Sequence, residues 1–115
     1  MTIKYLDFAL KMKRVLNTLQ EELDNKNIAL QHVVVLFDIA SHPDTSVGEI
    51  SKRCGLGGSV TSRAVAALSG WSWTKKDGMG LIEKHEDIYE SRRRLVRLSQ
   101  QGSKLMASLM EAESK

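Results

Sequence analysis

Apolar positions along the chain fall into helically spaced blocks and short alternating runs, separated by polar or glycine punctuation. Residues 2–24 contain no Gly or Pro. Within them Tyr5, Ala9, Met12, Leu16, Leu19 and Leu23 recur three and four apart, the spacing of a coiled-coil seam. Ile3, Leu6, Leu10 and Val15 widen the apolar surface onto a neighbouring face. Such a helix is expected to need two partners, the rest of its own domain and a second copy of the chain. One wide core-facing stripe in a monomer is the plainer alternative. Residues 24–27 read as a turn. A second helix is expected from Ala29 to Ser41, with Leu30, Val33, Val34, Phe37 and Ile39 toward the core. It stops at His42-Pro43, because the residue before a proline is pushed out of helical geometry.

The next stretch is sharply punctuated. Ser46-Val47-Gly48-Glu49 has the form of a capping box, in which hydroxyl and carboxylate each serve a free backbone N–H. The spacing predicts a short helix from Val47 to Arg53 that buries Val47 and Ile50. Gly55 stands where a helix ends in left-handed geometry. Gly57-Gly58-Ser59 then opens another helix to about Leu68, with Val60, Ala64, Val65 and Leu68 on one side. Ser59, Thr61, Ser62 and Arg63 lie on or near the other. Helix, glycine-containing turn, helix over residues 46–69 is the helix-turn-helix pattern. Its second helix enters the major groove, where small hydroxyl residues and one Arg suit base edges.

Residues 70–80 are irregular and carry Trp71, Trp73, Lys75 and Lys76. The two tryptophans are read as a clamp on the domain rather than as a base-stacking pair. Strands are expected over Leu81–Asp87 and Arg92–Leu98, with a turn at Ile88–Ser91. A hairpin over residues 81–99, directly after a helix-turn-helix, is a wing. Arg92, Arg93 and Arg94 sit near its tip, suited to the phosphate backbone or the narrow minor groove. Strand alternation keeps all three from facing one way. Arg97 is read as structural, paired with an acid in the hairpin or the dimer. Ser99 caps a final helix, Gln100 to about Ala112, with Leu105, Met106, Leu109 and Met110 apolar. The fold class expected is mainly α with a small β-hairpin wing, one winged helix-turn-helix domain over residues 1–115.

Charge sharpens this picture. Residues 51–104 hold eleven Lys or Arg and five Asp or Glu, a net of +6, whereas residues 1–50 are net −2. A basic block in a near-neutral chain is the footprint of a nucleic-acid binder. The single Cys54 has no internal disulfide partner, and neither a membrane-length apolar run nor a secretory signal is visible. A cytoplasmic protein, bacterial or phage-encoded, is expected. Cys54 is read as small apolar filler, the commoner role, over a redox-sensing thiol whose thiolate Lys52 and Arg53 would favour. His32, His42 and His85 lack metal-ligand spacing, and no cofactor is expected. No phosphate loop, metalloprotease motif or nucleophile elbow appears, so no catalytic residue is assigned and an enzyme is not expected.

The order helix, helix, helix-turn-helix, basic wing, helix resembles the MarR family of transcription regulators. Residues 30–36 look like its second helix, 47–51 like the first helix of its reading unit, and 60–68 like its recognition helix. The most specific piece is Ser91-Arg92-Arg93-Arg94-Leu95-Val96-Arg97-Leu98-Ser99-Gln100-Gln101-Gly102, which resembles the wing and its exit. The resemblance implies a homodimeric, sequence-specific binder of double-stranded DNA at an inverted repeat, acting as a repressor. Ser59, Thr61, Ser62, Arg63, Lys75, Lys76, Arg92, Arg93 and Arg94 would meet DNA. Terminal helices in residues 1–25 and 99–115 would form the dimer through Tyr5, Met12, Leu16, Leu19, Leu23, Leu105 and Leu109. A small-molecule effector would sit in apolar crevices between dimer core and reading head, though the sequence names none. Three departures stand out: Ser91 where the family usually has Asp, a longer link over residues 69–80, and a shorter final helix that throws dimerisation onto residues 2–24. A winged-helix module that grips a host protein is the alternative function.

Overall fold

Local signals set the ends of the central helices, and tertiary packing decides which faces they bury. The computed structural model describes residues 4–24, 28–69, 79–86 and 94–115. Its elements are α1 (Leu6–Leu23), α2 (Leu30–Ser41), β1 (Thr45–Ser46), α3 (Val47–Cys54), α4 (Gly58–Leu68), β2 (Ile82–Glu86), β3 (Arg94–Leu98) and α5 (Gln100–Ser114). The chain divides into two compact units, Met1–Ile28 with Lys104–Lys115, and Ala29–Ser103.

In the first unit Val15 and Leu19 of α1 and Leu105, Leu109 and Ala112 of α5 are buried. Arg14 ties the two helices together. Its Nε donates to the Ala112 carbonyl at 3.1 Å and its Nη2 to the Lys115 carbonyl at 2.6 Å, satisfying acceptors that a helix end leaves open. The seam expected along α1 splits in two. Leu19, Leu105 and Leu109, expected at the dimer contact, are only 1%, 4% and 3% exposed in the single chain. They form the chain's own core and have almost no surface left to offer a partner. Tyr5 and Leu16 stay exposed, together with Leu6, Phe8 and Leu10, while Met12 and Leu23 are half-buried. Leu6 through Leu10 bury no residue at all, so the first turns of α1 are apolar without a covering element in that unit.

In the second unit, Val33, Val35, Leu36 and Ile39 of α2, Ile50 of α3, and Ala64, Val65 and Leu68 of α4 are buried, with Leu81, Ile82 and Val96 from the sheet region. Helix α2 packs on α3, α4 and β3. The face of α2 expected to point inward is rotated: Leu30, Val34 and Phe37 are exposed, and Val35 and Leu36 take their places. Val33 to Phe37 is apolar all round, so periodicity there defines no face and the neighbours choose it.

The sheet runs β1-β3-β2, antiparallel throughout, with Ile82 opposite Leu98 and Glu86 opposite Arg94. Strand β1, which the sequence reading missed, pairs Thr45 with Val96 and Ser46 with Leu95. A tight junction joins the helices to this sheet. The Leu81 N–H donates to the Leu68 carbonyl at 2.8 Å, and the Leu81 carbonyl accepts from Ser99 N–H at 2.9 Å. Ser99 Oγ accepts from Gly102 N–H at 3.1 Å, the N-cap expected for α5, and donates to the Gly80 carbonyl at 2.6 Å. Gly102 is pressed against this junction: a β-carbon there would collide with the Leu81 carbonyl oxygen.

Candidate nucleic-acid interface

The helix-turn-helix is built as its local sequence dictates. Ser46 Oγ accepts from Glu49 N–H at 3.2 Å, and Glu49 Oε1 accepts from Ser46 N–H at 3.0 Å, completing the capping box of α3. Gly55 ends α3 in the left-handed region at φ 66°, its N–H donating to the Ser51 carbonyl. Ser51 Oγ donates to the Leu56 carbonyl across the turn. Gly57 then caps α4 in extended geometry without a side-chain bond.

Helix α4 packs against α2 and α3 through Thr61, Ala64, Val65 and Leu68, each at most 1% exposed. On its outer side Ser59, Ser62, Arg63 and Ala66 are exposed, at positions i, i+3, i+4 and i+7 of one helical face. Three of the residues expected to meet DNA, Ser59, Ser62 and Arg63, are therefore brought together. Thr61 is not: it is fully buried, and its Oγ1 donates to the Gly57 carbonyl at 3.0 Å. A threonine hydroxyl that bonds its own preceding turn serves the helix and not a ligand. Ala66 belongs to the outer face and was missed; its position seven residues after Ser59 was the available signal.

The side chains nearby set the rigidity of this unit. Arg53, at the end of α3, grips the Asp38 carboxylate of α2 with Nε at 3.0 and 3.1 Å and Nη2 at 2.8 Å, and Nη2 also donates to Thr45 Oγ1 at 2.6 Å. The hydrogen bond to Asp38 holds the guanidinium charge more firmly than usual. Arg53 is thus a brace between α2, α3 and β1. Cys54 next to it is half-buried, and burial, with Asp38 adding to it, pushes its thiol above the ordinary range. The alternative of a thiolate promoted by Lys52 and Arg53 is not favoured, because desolvation and the Asp38 carboxylate outweigh Arg53.

Strands β2 and β3 carry the wing. Arg94 is exposed at the start of β3, and Lys84 is exposed on β2. Arg97 Nε donates to Glu83 Oε1 at 3.1 Å across the hairpin, the structural pairing read for it from the sequence. His85 Nε2 lies 2.7 Å from Asp44 Oδ1. Lys75, Lys76, Arg92 and Arg93, and the two tryptophans Trp71 and Trp73, lie outside the described residues. Among the described residues no three His, Cys, Asp or Glu side chains gather as metal ligands, and no helix is long and apolar enough to cross a membrane.

A helix-turn-helix followed by the β2–β3 hairpin makes a winged helix, and solved structures of MarR-family regulators agree with the chain in fold. The chain superimposes on the MarR family transcription regulator SP03579 at TM-score 0.65, 14% identity, covering 96% of this chain and 65% of that one. Against the S. aureus MepR–DNA complex the TM-score is 0.71 at 19% identity, with 93% of this chain and 79% of that chain covered. Against the transcriptional regulator Tm0710 from Thermotoga maritima it is 0.71 at 16% identity, covering 96% and 69%. The chain therefore spans about two thirds to four fifths of the length of these structures. No protein-family model matches the sequence, and no curated protein does. The likeness is one of fold, carried by backbone arrangement at low sequence identity.

Proposed function

We propose that the protein binds double-stranded DNA sequence-specifically as a homodimer and represses transcription in the manner of MarR-type regulators; the role is not enzymatic. The observation that carries this reading is the outer face of α4. Arg63 stands exposed beside Ser59 and Ser62 on the second helix of a helix-turn-helix whose inner face is wholly buried. A recognition helix needs that arrangement: a rigid rear, short polar side chains that let the helix approach the groove, and one long donor able to bridge the two acceptors of guanine. The +6 charge of residues 51–104 supports it electrostatically. MepR of S. aureus, which is similar in fold, was solved as a complex with DNA, and this lends the reading further support.

Dimerisation is supported by α1. Tyr5, Ala9, Met12 and Leu16 keep the seam spacing, and Tyr5 and Leu16 remain 71% and 47% exposed beside Leu6, Phe8 and Leu10. A second copy covering this face would carry two reading heads to successive turns of an inverted repeat, about 34 Å apart. Neutralising about 6–8 phosphates per dimer makes log affinity fall with log salt at a slope of about −5 to −7. Selection of bound duplexes from a random pool, read by electrophoretic shift, tests the proposal. Recovery of an inverted repeat supports it, and an unenriched pool refutes it.

A further inference from the structure

We propose that Asp44 is the positioning residue of the wing, holding β2 and β3 at the angle at which they meet DNA. This rests on the DNA-binding reading above. Asp44 lies in the turn between α2 and β1 with φ 60°, a left-handed conformation that Asn and Asp tolerate better than other residues bearing a β-carbon. From there one carboxylate oxygen reaches both strands of the hairpin. Oδ1 accepts from His85 Nε2 of β2 at 2.7 Å and stands 3.8 Å from Arg97 Nη1 of β3. Arg97 in turn holds Glu83, its cross-strand partner, at 3.1 Å. Asp44, Glu83, His85 and Arg97 thus form one polar cluster, anchored outside the hairpin by Asp44 alone of the four.

The sheet order explains why such a tie matters. Strand β1 pairs directly only with β3, and by two residues. Strand β2 lies on the far side of β3. Its first residue is held by the bridge between Ser69 and Ile82, and its fourth by His85 on Asp44. A strand advances about 3.4 Å per residue, so these two ties are about 10 Å apart. One tie makes a pivot; two ties separated along the strand fix its direction. Without the carboxylate, His85 loses its acceptor and Arg97 keeps only Glu83, so beyond its ladder with β3 the far part of β2 loses its tie to the turn before β1.

The test uses the full chain and a duplex that the wild-type protein selects from a random pool, made in two lengths: the core inverted repeat alone, and the same repeat with about eight flanking base pairs on each side, where wings reach. Asp44→Asn keeps the side-chain shape and the tolerance of left-handed geometry while deleting the charge. Asp44→Gly relaxes the backbone and deletes the carboxylate as well. On the flanked duplex both variants are expected to bind about threefold to fivefold more weakly than wild type, the scale of a partly exposed ion pair. On the core duplex all three are expected to bind alike, and Asp44→Asn/His85→Gln is expected to lose no more than Asp44→Asn. Melting temperatures recorded in parallel separate positioning from damage to the fold. The proposal is overturned if Asp44→Gly, which removes the acceptor that Asn would keep, matches wild type on the flanked duplex, or if it weakens both lengths equally. Failure of the wild-type protein to bind any duplex at low salt overturns the DNA-binding reading and the wing clamp with it.

Discussion

Two glycines on helices, Gly102 and Gly48, should respond to the same substitution with opposite sign. Replacing a helical Gly by Ala normally stabilises by about 0.5–1 kcal/mol, because the unfolded chain loses freedom and the helix gains a better former. Gly48 in α3 meets nothing within 4 Å of an added β-carbon and has no positive φ, so Gly48→Ala is expected to gain up to about 0.5 kcal/mol at that first-turn position. Gly102 is buried in the first turn of α5. Its new methyl would run into the Leu81 carbonyl oxygen and approach Leu98 Cδ2 to 3.1 Å. That carbonyl accepts from Ser99 N–H, and the Leu81 N–H is held by Leu68, so the obstacle is backbone fixed at both ends. Overpacking of this kind costs about 1–3 kcal/mol, with about 1 kcal/mol more if the Ser99 bond is lost. After the propensity gain, Gly102→Ala is expected to lose about 1–3 kcal/mol. For a chain of this size that lowers Tm by about 4–12 °C. Thermal and urea unfolding followed by circular dichroism, at one protomer concentration, measures both variants. A Gly102→Ala protein as stable as wild type would refute the packing at the wing exit.

Other consequences can be checked directly. Leu68→Ala, at a fully buried position of α4, is expected to destabilise by about 2–5 kcal/mol in urea unfolding. Asp38→Ala removes the bidentate partner of Arg53 and is expected to cost about 1–2 kcal/mol, more than loss of the exposed pair of Lys11 with Asp7, whose variant Asp7→Ala should lie within about 0.5 kcal/mol of wild type. Because the folded state raises the Cys54 pKa, the thiol keeps its proton where the unfolded chain has lost it. Iodoacetamide should therefore react with Cys54 through a pH midpoint above that of free cysteine, and stability should fall as pH rises through the thiol range. Asp38→Asn removes one cause of that shift and should speed alkylation at pH 8; an unchanged rate would contradict it. Arg63→Ala is expected to cost about 1–3 kcal/mol of DNA affinity and to relax sequence preference at one base position, read by competition binding.

What could be read from the sequence was what local chemistry decides. The capping box at Ser46 and Glu49, the left-handed stop at Gly55 and the opening of α4 at Gly57 each depend on a few adjacent residues, and each stands where expected. The strands expected over Leu81–Asp87 and Arg92–Leu98 stand as β2 and β3 within those ranges, while the register from Ile82 opposite Leu98 to Glu86 opposite Arg94 was not read from the sequence. What could not be read depended on neighbours distant in sequence. Strand β1 is two residues long, too short for any period, and exists because β3 offers Val96 and Leu95. The apolar run in α2 is uniform, so only packing selected Val35 and Leu36 over Val34 and Phe37. Thr61 carries a hydroxyl that suits DNA and suits its own helix equally; the 61, 64, 65, 68 spacing was the evidence that it points inward. The seam of α1 mixes residues that close its own unit, such as Leu19, with residues left outside, such as Tyr5, and periodicity alone does not separate them.

The outer face of α4 as a reader of duplex sequence is tested most directly by a specificity ratio. Affinity for the selected inverted repeat is compared with affinity for mixed-sequence duplex of equal length at about 0.15 M salt, for wild type and Arg63→Ala. Wild type is expected to prefer the repeat by at least about a thousandfold, and Arg63→Ala to lose tenfold or more of that preference while its binding to mixed duplex changes little. A wild-type ratio near one, or a preference untouched by Arg63→Ala, would contradict the account.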